Sequence, residues 1–330
     1  MVGAPDVLTS RRASTCCAET GWFLATSRRW TEDVGAARHR VRMEILHWPF
    51  RGTDALAAGV VTRHRLRTDF EMVHRNVYIR RGQKLTPVTR AVAAWLWSGR
   101  TATMAGLSAA ALHRTAWIDD WLPAELNRPS RDKARGIIVH SDTLDDDETS
   151  VRDGIRITTP ARTAFDLGRR KGLAAAVIRL DALMRATGVK AADIELVADR
   201  HRGARGLTQL RRVLHLADDG AESPYETNTR LALVGAGLPR PQTQIEVLNE
   251  WGWVMARIDM GWEEWKVGVE FDGSHHWTDP AQRSRDIDRL AELEARGWAI
   301  IRVSAEMLRN RPHVVVARVH RALLAAGCRL

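Results

Sequence analysis

Ala256-Arg-Ile-Asp-Met-Gly-Trp-Glu-Glu-Trp-Lys-Val-Gly-Val-Glu-Phe-Asp-Gly-Ser-His-His276 reads as a β-hairpin with its acids gathered on one face. Val254, Ala256, Ile258 and Met260 alternate with Met255, Arg257, Asp259 and Gly261. After the turn, Val267, Val269 and Phe271 alternate with Gly268, Glu270 and Asp272. Successive strand side chains point to opposite faces. A turn centred on Glu263-Glu264 sets Met260 against Val267, Ile258 against Val269 and Ala256 against Phe271. The apolar residues then share one face and Asp259, Glu270 and Asp272 the other. In that register Asp259 and Glu270 are diagonal neighbours, roughly 7–8 Å apart by Cα. A slip of one residue spoils both faces. Carboxylates crowded in this way repel one another unless a cation lies between them. A hard divalent ion such as Mg²⁺ suits them, because it takes oxygen ligands and keeps water positions open.

The hairpin has helices around it. Ser223-Pro-Tyr-Glu226 opens a helix running to about Gly235, with Ser at the N-cap, Pro at the first helical position and Glu three residues on, the pattern of a capping box. Gly237-Leu-Pro-Arg-Pro241 ends it, Ile245–Leu248 is a strand, and Asn249-Glu-Trp-Gly252 turns the chain into the hairpin. Asp279-Pro280 starts a helix through Arg296, stopped by Gly297; Trp298–Val303 is a buried strand and Pro312–Ala326 the last helix. The order is αβββαβα.

The whole chain has 330 residues and a formal net charge of +10, with 45% hydrophobic residues. The length suggests two or three domains. The charge favours a polyanionic partner, nucleic acid first, against the plainer reading of an arginine-rich solvated surface. Cys16 and Cys17 are adjacent and Cys328 is nearly terminal, so no disulfide framework or zinc spacing is visible and a reducing cytoplasm is expected. No apolar run approaches the ~18 residues of a membrane span, and no membrane partner is expected. The N-terminus lacks the apolar segment of a secretory signal.

Residues 1–42 lack sustained periodicity and read as a disordered tail or as sequence upstream of the true start, with a short helix around Gly21–Ser27 the one possible element. Residues 43–85 suit a small winged-helix-like module: a short helix over Thr53–Gly59, a second over Arg63–Thr68 capped by Thr62, a third over Phe70–Arg75 capped by Asp69, then a strand, Asn76–Gly82. Arg63, Arg65, Arg67, Arg75, Arg80 and Arg81, with His64 and His74, would contact phosphates. The competing reading is a helical cap with solvated arginines.

Residues 86–222 form a mixed α/β middle domain. Helices are expected at Thr86–Trp97, at Leu107–His113 capped by Ser108 or a neighbour, and at Ala161–Arg169, Ala174–Arg185 and Ala191–Arg200; strands are expected at Ile137–His140 and Gly154–Thr158. Asp145-Asp-Asp-Glu148 reads as a solvated acidic turn, with cation binding as the alternative, His113 and His140 as structural histidines, and nothing in this region as catalytic.

The αβββαβ order, with Asp259, then Glu270-Phe-Asp272-Gly and a trailing His, resembles the PD-(D/E)XK nuclease fold and, within it, the very-short-patch-repair-like endonucleases. Glu270-Phe-Asp-Gly-Ser-His-His276, Asp286, Arg289, Gly297-Trp298 and Ile301-Arg302-Val303 carry that likeness over residues 223–326. Gly154-Ile-Arg-Ile-Thr-Thr-Pro-Ala-Arg-Thr-Ala-Phe-Asp-Leu167, followed by Leu180-Asp-Ala-Leu183, resembles the AbiEi type of antitoxin. Together they resemble bacterial proteins that join an AbiEi-like region to such a nuclease-like domain, here 223–330.

The resemblance implies an endonuclease that hydrolyses DNA phosphodiesters with Mg²⁺ or Mn²⁺. Asp259 and Glu270 would hold the metal. Glu226 would be an outer ligand or orient a metal-bound water, as an alternative or an addition to its capping role. His276, more than His275, would serve as general acid or base. Asp286 and Arg289, three apart on one helix face, would brace the site or form a plain helical ion pair. One position departs: where the family places a lysine, this chain has Asp272, either a further metal ligand or a residue with another role. Lys266 has the right strand parity but lies ~13 Å along the strand from Glu270. The departure keeps an alternative open, a non-catalytic DNA-binding regulator that retains the fold. A toxin or repair partner would fit either.

Overall fold

The structure, a computed structural model, describes residues 48–330 except 131, 171 and 273–279, and residues 280–283 by backbone alone. The N-terminal tail, His275 and His276 therefore lie outside the described residues. The molecule is mixed α/β, with three sheets following one another along the chain.

The first sheet belongs to a βααββ unit: β1 (Phe50–Arg51), α1 (Gly52–Ala57), α2 (Arg63–Thr68), β2 (Phe70–His74) and β3 (Val77–Arg80), in the antiparallel order β1-β3-β2. Thr62 caps α2 by accepting from Arg65 N–H at 3.2 Å. The helix expected over Phe70–Arg75 is strand β2 instead. Asp69 does not start a helix there but is the C-cap of α2. Phe70 is buried edge-to-face on Phe50, with ring centroids 5.1 Å apart, and the pairing with β3 outweighs local helix signals in so short a segment.

The middle sheet has the order β6-β5-β4-β8-β7, from β4 (Thr103–Met104), β5 (Ala124–Asn127), β6 (Ile137–His140), β7 (Thr149–Arg152) and β8 (Ile155–Thr158). Helices α3 (Pro87–Trp97), α4 (Gly106–Leu112), α5 (Pro160–Arg170), α6 (Leu173–Thr187), α7 (Ala191–Arg200) and α8 (Leu207–Leu216) accompany it. Thr86 and Pro87 start α3 with a capping box. Ser108 does not cap α4; its hydroxyl accepts from Glu125 N–H at 2.8 Å.

In the acidic turn Asp145, Asp146 and Asp147 are exposed as expected, but the last acid is not solvated. Glu148 is 1% exposed and is bound by the buried Arg162 guanidinium and, at 2.6 Å, by His201 Nε2. Arg162 also donates to Asp166 Oδ2 at 3.1 Å. Both residues stand in the Thr-Pro-Ala-Arg-Thr-Ala-Phe-Asp run, which is thus the wall of a buried charge network. His113 and His140 are structural as expected, held by Thr158 C=O at 2.8 Å and by Glu125 at 2.9 Å.

The last unit runs α9 (Pro224–Gly235), β9 (Gln242–Leu248), β10 (Val254–Trp262), β11 (Val267–Asp272), α10 (Pro280–Ala295), β12 (Ala299–Ser304), α11 (Ala305–Asn310) and α12 (Pro312–Ala325). Its sheet has the order β12-β11-β10-β9, with β11 and β12 parallel and the other pairs antiparallel. The hairpin register is two residues from the expected one: Met260 pairs with Val269, Gly261 with Gly268 and Trp262 with Val267. A four-residue turn causes the shift, closed by Lys266 N–H donating to Glu263 C=O at 3.1 Å. A shift of two preserves parity, and Asp259 and Glu270 line one cleft just beyond the last pair.

The single apolar face is corrected. Met260 and Trp262 pack with Val267 and Val269, whereas Ala256 and Ile258 pack with Leu293, Trp298 and Ile300. The change falls at Asp259. Across from it on β9, between the pairs Ile258–Ile245 and Met260–Thr243, Gln244 has a φ of 53°. Helices cover both sides of the sheet, so both faces need apolar residues, and strict alternation of apolar and acidic side chains does not hold.

Two buried charges join α9 to the middle region. Arg230 and Asp181 are each 1% exposed and pair at 2.5 Å, and Thr227 Oγ1 donates to the same carboxylate at 2.8 Å.

Candidate active site

Asp259, Glu270 and Asp272 line one open cleft with Arg257, Phe271, Asp286, Arg289 and Arg302. Asp259 comes from β10 at the point where the pairing of β10 with β11 ends. Its Oδ2 accepts the Phe271 N–H at 2.7 Å, so a carboxylate satisfies the amide that a strand partner would otherwise take. The Phe271 ring stacks on Tyr225 of α9, centroids 4.5 Å apart and nearly parallel, which fixes this end of β11.

Burial first, and then the negative charges of Glu226, Glu270 and Glu222, together push the Asp259 carboxyl up to about 7. The Phe271 amide opposes the rise. An acid in this setting gains from a nearby cation.

Glu270 is gripped by Arg289 of α10. Nη1 donates to Oε1 at 2.6 Å and Nη2 to Oε2 at 3.0 Å, a two-point fork. The same guanidinium lies 3.9 Å from Asp286, so its stronger tie is to the strand acid and the helical ion pair is secondary. Contact with Glu270 holds Arg289 more firmly protonated than an ordinary arginine.

Asp272 pairs with Arg302 at 2.9 Å. The parallel pairing of β11 with β12 sets Glu270 beside Arg302 and Asp272 beside Ser304, so Arg302 reaches diagonally. Lys266 is elsewhere: its ammonium donates to Arg296 C=O at 2.8 Å, at the end of α10. The cations in the cleft are thus arginines.

Glu226 does not line the cleft but stands behind it. Its carboxylate accepts from Ser223 Oγ at 2.8 Å, from Glu222 N–H at 2.8 Å and from Gln244 at 3.3 Å. Its own N–H donates to Ser223 Oγ, so Ser223 caps the helix, but the carboxylate takes the Glu222 N–H and not that of Ser223, and the capping box is not closed. Burial raises its pKa. Through Gln244, opposite Asp259 on the sheet, it bears on the site without touching it.

The donor set suits a hard cation: carboxylate oxygens from neighbouring strands, one of them disfavoured as a bare anion. Elsewhere among the described residues, Asp145, Glu148 and His201 bring ligand atoms within 4.8 Å of one another, but Arg162 already neutralises Glu148.

The arginines expected on nucleic acid are all exposed, but they differ. Arg63, Arg67 and Arg81 line an open groove with Leu66, Met72 and Tyr78. Arg81 is bonded to the carbonyls of Thr68 and Arg67 at 3.1 and 2.9 Å, closing the end of α2, and Arg65 is paired to Asp69 at 2.9 Å. Arg75 and Arg80 point outward. His74 is buried and cannot contact phosphate, and burial lowers its pKa.

Sequence reading missed Arg257 and Arg302 as parts of the cleft. For Arg302 the available signal was its place between Ile300 and Ser304 on a strand that pairs parallel with β11.

Residues 97–216 match the family model of the AbiEi antitoxin C-terminal domain, and residues 241–323 match that of the restriction-endonuclease-like domain REase_MTES_1575. Two curated proteins of Mycobacterium tuberculosis, Uncharacterized protein MT2308 of strain CDC 1551 and Uncharacterized protein Rv2248 of strain H37Rv, are each 32% identical over 166 residues. That stretch is 50% of this chain, and it spans 61% of the length of these relatives. No helix among the described residues is long and apolar enough to cross a membrane.

Proposed function

We propose, from a chain that joins an AbiEi-like region to a restriction-endonuclease-like domain, that the C-terminal module hydrolyses phosphodiester bonds in DNA. Its site is the cleft between β10, β11 and α10. The observation that carries this reading is the acid pair Asp259 and Glu270 flanked by Arg257, Arg289 and Arg302 in one open cleft. Acids alone would repel a phosphodiester, and arginines alone would only bind it. The combination suits a cation-assisted reaction on a polyanion.

Asp259 and Glu270 are the residues that would hold Mg²⁺ or Mn²⁺. Such an ion, when bound, lowers the pKa of a coordinated water and neutralises charge building on the phosphate. Arg257 and Arg302 orient the phosphates. Arg289 holds Glu270 by its fork, and its guanidinium would be the one to meet substrate phosphate if Glu270 were engaged by a cation. Glu226 holds Gln244 and adds negative charge behind Asp259, which raises the gain from a cation there. His276 supplies or removes a proton in this reading. Residues 50–80 form a winged-helix-like module in which Arg63, Arg67, Arg75 and Arg80 bind the DNA backbone.

A second reading has its own observation. The lysine position holds Asp272, paired to Arg302, and both Glu270 oxygens are occupied by Arg289. A site closed in this way suits a DNA-binding regulator, antitoxin-like, with a toxin as its protein partner.

A cleavage assay on single-stranded, duplex and mismatched DNA separates the two. The nuclease reading expects Mg²⁺- or Mn²⁺-dependent nicking, lost by at least 100-fold in Glu270→Gln and Asp259→Asn, on the scale of removing a charge-stabilising group. Binding without cleavage under every metal condition selects the regulator.

A further inference from the structure

At the start of β10, ahead of the cleft residues Arg257 and Asp259, the β9–β10 turn carries the most exposed apolar surface among the described residues of the last unit. Trp251 is 78% exposed, Trp253 71%, Val254 53% and Leu248 50%. Two indoles in water cost hydration free energy that burial elsewhere in this unit avoids. The turn nevertheless holds them firmly. The Asn249 side-chain oxygen accepts the backbone N–H groups of Trp251 and Trp253 at 3.0 and 2.9 Å, and Asn249 N–H donates to Trp253 C=O at 2.8 Å, which fixes the backbone that carries both rings. Gly252, at φ 77°, supplies the left-handed residue the turn needs. A rigid mount with its aromatic faces left open is a contact surface.

The charges select the occupant. Exposed Glu250 directly precedes Trp251 in the turn, so a phosphate backbone is repelled from the tip itself, whereas exposed Glu246 lies further along β9, in register with Arg257. Arg257 lies between tip and site on the same strand, and Arg289 and Arg302 lie beyond it in the cleft. Trp253 is six residues from Asp259, or ~20 Å along the strand at the usual rise. A nucleic-acid strand whose backbone follows the arginines can reach the tip only with its bases, and only if those bases are free of a complementary strand.

We infer that Trp251 and Trp253 form a base-stacking platform, and that the substrate class of the cleft is nucleic acid with unpaired bases a few nucleotides from the reacting phosphate: single-stranded, flapped or locally opened. This rests on the nuclease reading for the word substrate. The stacking itself does not depend on cleavage.

The test measures fluorescence anisotropy of the full chain with a labelled single-stranded oligonucleotide and with a blunt duplex of the same length, in EDTA and at fixed salt. Wild type binds the single strand more tightly. Trp251→Ala/Trp253→Ala weakens single-strand binding by roughly tenfold or more, from the 1–3 kcal/mol typical of a base–aromatic stack. Duplex binding changes less than about twofold on that picture. Trp251→Phe/Trp253→Phe restores most of the loss. Equal losses on both ligands, or no loss on either, overturn the platform. A concentration-dependent dimer in wild type that the alanine pair dissolves assigns the tip to a second copy and also overturns it. The two readings fail separately. An intact single-strand preference without Mg²⁺- or Mn²⁺-dependent cleavage rejects the nuclease and keeps the platform. Cleavage with no strand preference does the reverse.

Discussion

Asp259 is where one side chain has the widest consequences. Its folded pKa of about 7 lies well above the ~3.9 of an unfolded aspartate. Between those values the folded chain holds a proton that the unfolded chain has lost. Stability from this group is therefore complete below pH 4 and is lost as pH rises through 7. In metal-free buffer the thermal midpoint of wild type should fall between pH 5 and pH 8, and Asp259→Asn should flatten that fall; parallel curves would contradict the assignment. Arg289 gives a second expectation. Arg289→Ala leaves Glu270 without its partner, at a cost of about 1–3 kcal/mol in the metal-free protein. Added Mn²⁺ should recover more thermal stability in the variant than in wild type, which differential scanning fluorimetry can check. The two acids were legible in the sequence because strand parity survives a two-residue register error. Their arginine partners were not. Arg289 lies 19 positions from Glu270 on another element, and Arg302 meets Asp272 only through a parallel pairing that no local pattern encodes.

Side-chain caps mark some of the expected helices but not all: α6 and α12 were expected and have none, and α11 was missed although Ser304 caps it. Thr62, Thr86 and Ser223 each accept a backbone N–H at the start of a helix, and all three helices lie where expected. Helix α8 was missed because Gly206 starts it in a left-handed conformation with no side-chain cap. Strand β4 has two residues, too few for any periodicity to register. Strand β2 was read as a helix because its burial depends on Phe50 and β3 and not on its own composition. Inside the last sheet, Gly268 is required by packing: a Cβ there would lie 2.7 Å from Ile300 Cδ1 and 2.9 Å from Ile258 Cγ2. Gly268→Val should cost roughly 1–3 kcal/mol by overpacking. Urea denaturation reads this directly, and a cost near zero would mean that the two isoleucines are not packed across β11.

At the scale of the whole molecule, charge acts in two ways. The exposed arginines set affinity for a polyanion, so duplex binding should weaken as salt rises. Arg63→Ala/Arg67→Ala should reduce the log–log slope by roughly 0.9 for each phosphate left without its arginine. An unchanged slope would remove α2 from the interface. The buried charges do something else. Breaking the Asp181–Arg230 pair from one side should cost roughly 3–5 kcal/mol, because the remaining charge is stranded. Arg230→Met should therefore lower the thermal midpoint more than Asp181→Leu/Arg230→Met together. The AbiEi-like and restriction-endonuclease-like likenesses were visible in the chain, but this clasp was not, since both residues look like ordinary members of exposed helix faces. Its consequence is genealogical. Asp181 lies within the AbiEi-like match, and Arg230 precedes the endonuclease-like one. A recombination event that swapped either half for a homologue lacking the matching charge would bury an orphan ion at the seam. The two halves are thus heritable as a pair, and lineages that exchange one are expected to carry compensating changes at both positions.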